Sequence, residues 1–285
     1  MLRIKSLFRF TSSTCLVFAS AFLLGAIENL CASPQSSTAS DSYTVCPNVA
    51  VPPNYALIAI NAETGCPNLL SFTVAPAQSS LNVCNLSETI GGAPIRMPFP
   101  ADYYVQNISQ VDQLRSPCAG ATSVYMIQPV SEGATACSGS HIPDGWSFTA
   151  SIPGNGSCGT MIRNELHQSV DGLRICQGSP YPDSFVIGAV EPVAACDVQE
   201  RYVLRPTTDG VQACANSHVP AGYVVTGADR SGQCSNYQTL TMHAAYDGVV
   251  VCTFSPIPDR YVVAATVSYN GCQDWNTAYQ LRYIP

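Results

Sequence analysis

Cysteine and histidine are the residues of this 285-residue chain whose spacing could do chemistry. Twelve of the fourteen cysteines stand at positions 46, 66, 84, 118, 137, 158, 176, 196, 214, 234, 252 and 272, with successive gaps close to 18 or 20 except for 34 between Cys84 and Cys118. A structural zinc site gathers its thiolates as close Cys-x-x-Cys pairs, and none occurs, so no metal is expected. An even set of regularly spaced cysteines in an exported chain reads as a disulfide framework. Joining neighbours within each period (Cys46–Cys66, Cys84–Cys118, Cys137–Cys158, Cys176–Cys196, Cys214–Cys234, Cys252–Cys272) uses all twelve. The offset scheme starts at Cys66–Cys84 and leaves Cys46 and Cys272 to meet only in a closed ring. The first scheme is favoured: each loop of about 20 residues constrains the unfolded chain by roughly 3 kcal/mol on the entropy model.

The four histidines follow the same rhythm. His141 and His218 sit four residues after the first Cys of a period, and His167 and His243 nine after the second. Such pairs could bind a metal or sense pH. No carboxylate is seen to recur at a fixed offset beside them, so common descent of two similar repeats is the simpler account. For catalysis, the chain contains no G-x-S-x-G, no H-E-x-x-H and no phosphate-cradling glycine loop. Asp and Glu are sparse and fall mostly in turns, which gives a glycosidase-type carboxylate pair no support. No catalytic residue and no cofactor are expected.

The elements that must hold these cysteines repeat every 38 residues or so, the signature of a repeat architecture. After each first Cys comes a proline, then an aromatic and a β-branched run: Pro52 with Tyr55, Pro100 with Tyr103, Pro143 with Trp146, Pro182 with Phe185, Pro220 with Tyr223, Pro258 with Tyr261. The runs read as strands. The aromatic could be a ligand-stacking platform repeated six times, although core is its commoner role. A second strand follows the second Cys, then Asp171-Gly172, Asp209-Gly210 or Asp247-Gly248, with Glu132-Gly133 as a fourth case. Asp-Gly between strands predicts a type I′ hairpin joining that strand to a third, which ends in the next Cys. In this third strand the residues one and three before the Cys are apolar and the one between is usually polar (Asn82, Thr135, Arg174, Gln212). Alternation therefore puts the cysteines on the face opposite the core, as outer staples. Repeats two, four and six carry Pro-x-Pro before the aromatic, where repeats one, three and five have Ala50, His141 and His218, so the unit is an odd–even pair.

The expected fold is all-β: a tandem array of six disulfide-stapled three-stranded repeats, elongated rather than closed. The divisions are a signal peptide over 1–33, a flexible lead-in over 34–42, and repeats over 43–83, 84–136, 137–175, 176–213, 214–251 and 252–285. The second repeat holds a Gly- and Pro-rich insertion around residues 90–96. A unit this short seldom buries enough apolar surface alone, so staples and stacking on neighbours must supply the rest.

The signal reading rests on basic Arg3, Lys5 and Arg9, an apolar core from Cys15 to Ile27, and small residues at Ala32 and Ser33. That core is too short for the roughly 20 residues of a membrane span, and none is expected later. Removal of the signal takes Cys15, Cys31 and the only lysine, leaving nine Arg against eighteen acids. So acidic a surface repels phosphate, which excludes nucleic acid as a partner. Asn85, Asn107 and Asn155 are Asn-x-Ser acceptors for glycosylation. The expected protein is secreted, or at the cell surface or in a periplasm. It is non-catalytic and serves adhesion, ligand binding or spacing, with an extracellular protein or glycan as partner. The competing reading is a secreted enzyme or inhibitor whose site lies in the irregular stretch 85–115, since function often sits in such loops.

Overall fold

The computed structural model describes residues 41–285 apart from 48, 67–69, 86–98, 155, 193–195, 197–199, 231 and 274. The signal peptide, nearly all of the lead-in, and the insertion around 90–96 thus lie outside the described residues. Those described hold eighteen strands and no α-helix. In threes they are β1 (Tyr43–Val45), β2 (Tyr55–Ala62), β3 (Leu70–Pro76); β4 (Leu81–Asn85), β5 (Tyr103–Gln110), β6 (Ser123–Pro129); β7 (Ala134–Cys137), β8 (Trp146–Ile152), β9 (Arg163–Gln168); β10 (Arg174–Cys176), β11 (Phe185–Pro192), β12 (Glu200–Pro206); β13 (Val211–Cys214), β14 (Tyr223–Asp229), β15 (Thr239–Ala244); and β16 (Val250–Cys252), β17 (Tyr261–Cys272), β18 (Trp275–Tyr283).

Each three make one antiparallel sheet with the third strand in the centre, as in β1-β3-β2. A single parallel bridge, Ala228 to Cys272, joins the last two sheets. Every second strand bulges three residues after its aromatic, at Ile58, Gln106, Thr149, Gly188, Thr226 and Ala264, where the register shifts by one. Contacts between strands of different repeats run between consecutive repeats (β2 with β4, β5 with β7, β8 with β10, β11 with β13, β14 with β16), so the array is open.

The Asp-Gly turns are not hairpins. β9 and β10, joined through Asp171-Gly172, belong to different sheets. The turn closes by Leu173 N–H donating to the Val170 carbonyl (3.1 Å), and Gly172 has φ +76° whereas Asp171 stays out of the positive region. That is the pattern of a type II turn, which needs positive φ only at its third residue. Gly172 N–H donates to the Leu204 carbonyl of the following sheet (2.9 Å). The turn is a crossover docked on the sheet it enters, and the strand ending in the first Cys opens the next sheet rather than closing the last.

The six disulfides join Cys46–Cys66, Cys84–Cys118, Cys137–Cys158, Cys176–Cys196, Cys214–Cys234 and Cys252–Cys272. They are not outer staples, for from Cys84 onward every bridged cysteine is buried. Cys84 and Cys118 pack with Leu57, Phe72 and Val74 of the preceding repeat, Cys137 and Cys158 with Val105, and Cys214 and Cys234 with Ile187. Alternation fails at the cysteines because the preceding repeat's second strand covers the face that a lone sheet would leave to water. That strand is buried on both sides: Ala56 packs on Val83 and Ile127, while its neighbour Leu57 packs on Cys84–Cys118. The core is thus a series of junctions, with a bridge in each.

Candidate functional site

Three polar devices recur at these junctions, and the structure builds each from residues far apart in sequence. The first is a serine three after the first Cys. Its N–H closes a turn onto the Cys carbonyl, as Ser217 does on Cys214 (2.8 Å), and its hydroxyl then faces the preceding repeat. Phe148 N–H donates to Ser179 Oγ (2.7 Å), Ile187 N–H to Ser217 Oγ (3.0 Å) and Val225 N–H to Ser255 Oγ (2.8 Å). These donors lie just before the bulge, where the strand has no ladder partner on that side. The bulge carbonyls lie against the next disulfide: Ile58 O is 3.9 Å from Cys118 Sγ, Gln106 O 3.5 Å from Cys137 Sγ, and Thr149 O 3.7 Å from Cys196 Sγ. The Cys-x-x-Ser spacing at Ser179, Ser217 and Ser255 was the sequence signal for this device, and the cysteine rhythm obscured it. Ser140 has the same spacing and turn, but its Oγ meets no partner among the described residues.

The second device gives two of the histidines acid partners, at offsets that differ by one residue. Glu132 and Asp209, the turn acids, lie 35 and 34 residues before His167 and His243 and bond them through Nδ1, the latter pair at 3.1 Å. The same acids accept from the next backbone N–H, Gln168 to Glu132 (3.1 Å) and Ala244 to Asp209 (2.9 Å). In the fourth repeat Arg205 takes the histidine's register position and donates to Asp171 (3.2 Å). Arg205 also lies over the bulge, where a Cβ on Gly188 would come within 2.3 Å of its Cγ. His167 is also 3.2 Å from Glu165. Desolvation, the largest single influence, pulls His167 down, but its bonds to Glu132 and Glu165 outweigh it and hold the imidazole above its ordinary pKa. The Gln168 N–H, and then His167, hold Glu132 below the usual carboxylate range. Asp209 is lowered in the same way by the Ala244 N–H, then by His243. Each pair is a latch tying a turn to the central strand. Among the described residues no three His, Cys, Asp or Glu side chains are placed to hold a metal ion.

The third device explains the odd–even alternation. His218 stacks on Tyr181, ring centres 4.9 Å apart and 23° from parallel, and His141 tilts on Phe99 at 5.8 Å. Both pairs join an even repeat to the odd one after it, the histidine taking the place of a proline. His218 Nε2 also lies 3.5 Å from Asp183 Oδ1, and its N–H reaches Tyr181 Oη (3.5 Å). Tyr181 is so positioned by the fifth repeat. Its ring lines a cleft of about 380 Å³ toward the third repeat, with Trp146, Pro143 and Pro182 as further walls and the exposed carboxylates of Asp144 and Asp183 beside them. All six aromatics that follow the prolines pack against the cores, and Trp146 alone of them also lines this cleft.

Asn85, an expected glycosylation acceptor, donates to Ser123 Oγ (3.0 Å) at a strand end, and Asn107 lies on β5. Asn155 is outside the described residues, as are 86–98 of the irregular second-repeat stretch. No protein-family model, curated protein or solved structure matches the chain.

Proposed function

We propose that this disulfide-rich β-repeat protein is a non-catalytic extracellular binding protein, and that the cleft between its third and fourth repeats takes the ligand, a glycan or a glycan-bearing protein. The observation that carries the reading is the cleft's make-up: two aromatic side chains, prolines that need no ordering, and two exposed carboxylates with no basic residue among its walls. Concave apolar walls with a few polar groups are the ordinary form of a ligand site. An aromatic ring offers a flat apolar face to a sugar ring, and carboxylates accept from its hydroxyls. Six disulfides favour an oxidising compartment, in keeping with secretion or display at a cell surface. No helix among the described residues is long and apolar enough to cross a membrane.

The test is a screen of the oxidised full chain against immobilised glycans, followed by titration of each hit. Binding weakened at least tenfold by Trp146→Ala and by Tyr181→Ala, with thermal unfolding kept and the ligand recovered unchanged, is the expected result. Binding indifferent to both substitutions would place the ligand elsewhere, and conversion of the ligand would make the protein an enzyme.

A further inference from the structure

The second strand of each repeat is buried by the repeat that follows, and in the sixth repeat that strand is open. The two residues after the aromatic show it. Ala56 and Leu57, Tyr104 and Val105, Val186 and Ile187, and Val224 and Val225 are all at most 5% exposed, and in the third repeat Ser147 is buried and Phe148 half-buried, whereas Val262 and Val263 on β17 are each 40% exposed. Beside them Ile257 is exposed as well. The opposite end of the array shows the complementary surface. Cys46 and Cys66 are only half-buried, unlike the bridges that follow them, and exposed Val49 holds the position that Ser179, Ser217 and Ser255 use to meet the preceding repeat. Nothing among the described residues covers either surface.

We propose that repeat one of a second copy of this chain docks on repeat six, head to tail, remaking between two molecules the junction made five times within one. This inference stands apart from the cleft and its ligand. Those five junctions identify the occupant, because in each the partner of such a strand is a disulfide-bearing first strand, and the turn that closes onto the Cys carbonyl after Cys137, Cys176, Cys214 and Cys252 is present at Cys46 as well, Val49 N–H donating to its carbonyl (3.1 Å). The phase also agrees. Repeat six is even and repeat one odd, and Ile257 with Ala50 stands where Tyr181 stacks with His218 and Phe99 with His141. An apolar pair thus replaces a ring pair, and Val49 meets Val263 through methyl groups where three of the inner junctions use a serine hydroxyl. Such a contact uses two different surfaces, so each added copy leaves one of each free, and association runs to open chains rather than stopping at a dimer.

Sedimentation velocity of the oxidised full chain across a wide concentration range tests this, with Val263→Asp blocking the tail and Val49→Asp blocking the head. Both sites are exposed in the single molecule, and an unchanged thermal transition confirms folding. Should either variant misfold, Val262→Asp replaces the tail block and Ala50→Asp the head block. The mass of the native chain should rise with concentration past the dimer. Each variant alone should stay monomeric, and an equimolar mixture should form a dimer that grows no further. A native chain that stays monomeric at the highest concentration, a head-blocked variant that self-associates like the native chain, or a mixture that remains monomeric would each overturn the proposal.

Discussion

At the scale of single residues, the hydroxyls and latches carry costs that can be weighed. Ser217 is buried, and its Oγ is the acceptor for Ile187 N–H. Ser217→Ala leaves that N–H buried without an acceptor, a penalty of about 1–3 kcal/mol, which a denaturant titration will show as a lower midpoint with the slope unchanged. The Glu132–His167 latch lies at the surface and is worth less, about 0.2–1 kcal/mol. Its pH dependence has a definite sign. His167 is raised, so its contribution is complete below its ordinary 6.5 and is lost as pH rises through the folded value. Glu132 is lowered, so its contribution is complete above its ordinary 4.5 and is lost as pH falls through the folded value. The stability difference between the native chain and His167→Ala should therefore be greatest between those two ordinary values and shrink on either side. In proton NMR the His167 ring should titrate above 6.5, and Glu132→Gln should bring it down. Titration at or below 6.5 in the native chain would contradict the latch.

At the scale of elements, the difference between a staple and a junction filler becomes measurable. An outer bridge closing a loop of about 20 residues contributes roughly 3 kcal/mol through the unfolded chain alone. Cys214–Cys234 also fills the space beside Ile187 and Leu204. The double change Cys214→Ala with Cys234→Ala should thus cost more than that figure, and hydrogen exchange should quicken in β11 and β13 on both sides of the bridge. Quickening in the fifth repeat alone would restore the outer-staple picture. The sequence displayed the strands, the period and the odd–even pairing because β-branched runs, prolines and cysteines are local signals. It misled on Asp171-Gly172 because the same dipeptide serves type I′ and type II turns, and only the sheet beyond decides between them. It misled on the cysteines because alternation reports one covered face, and here a neighbouring repeat covers the other. The acid partners of His167 and His243 escaped notice because they lie a full repeat upstream and reach their histidines only through sheet register. The cleft was half legible: the six aromatics were visible, but which of them faces a cleft depends on how consecutive repeats meet.

For the whole molecule, position in the array decides what a side chain is worth. Val225 and Val263 are the same residue at the same place in consecutive repeats, yet Val225 is sealed by the sixth repeat while Val263 is open. Val225→Ala removes buried methyl groups and leaves a void beside Cys252–Cys272, at a cost of about 2 kcal/mol. Val263→Ala in dilute solution should stay within about 0.5 kcal/mol, as for ordinary surface changes. Since each repeat touches only its neighbours, the Val225 defect should loosen repeats five and six first. Amides in β5 and β2, three and four junctions away, should keep their native exchange rates. Uniform quickening along the chain would instead mean that the six repeats unfold as one block. Val263→Ala should become costly only where molecules associate, so raising the concentration should bring the two valines closer in effect if head-to-tail docking occurs. Thermal unfolding of both variants at low and high concentration therefore tests the energetics of an inner junction and of the proposed outer one with a single pair of substitutions.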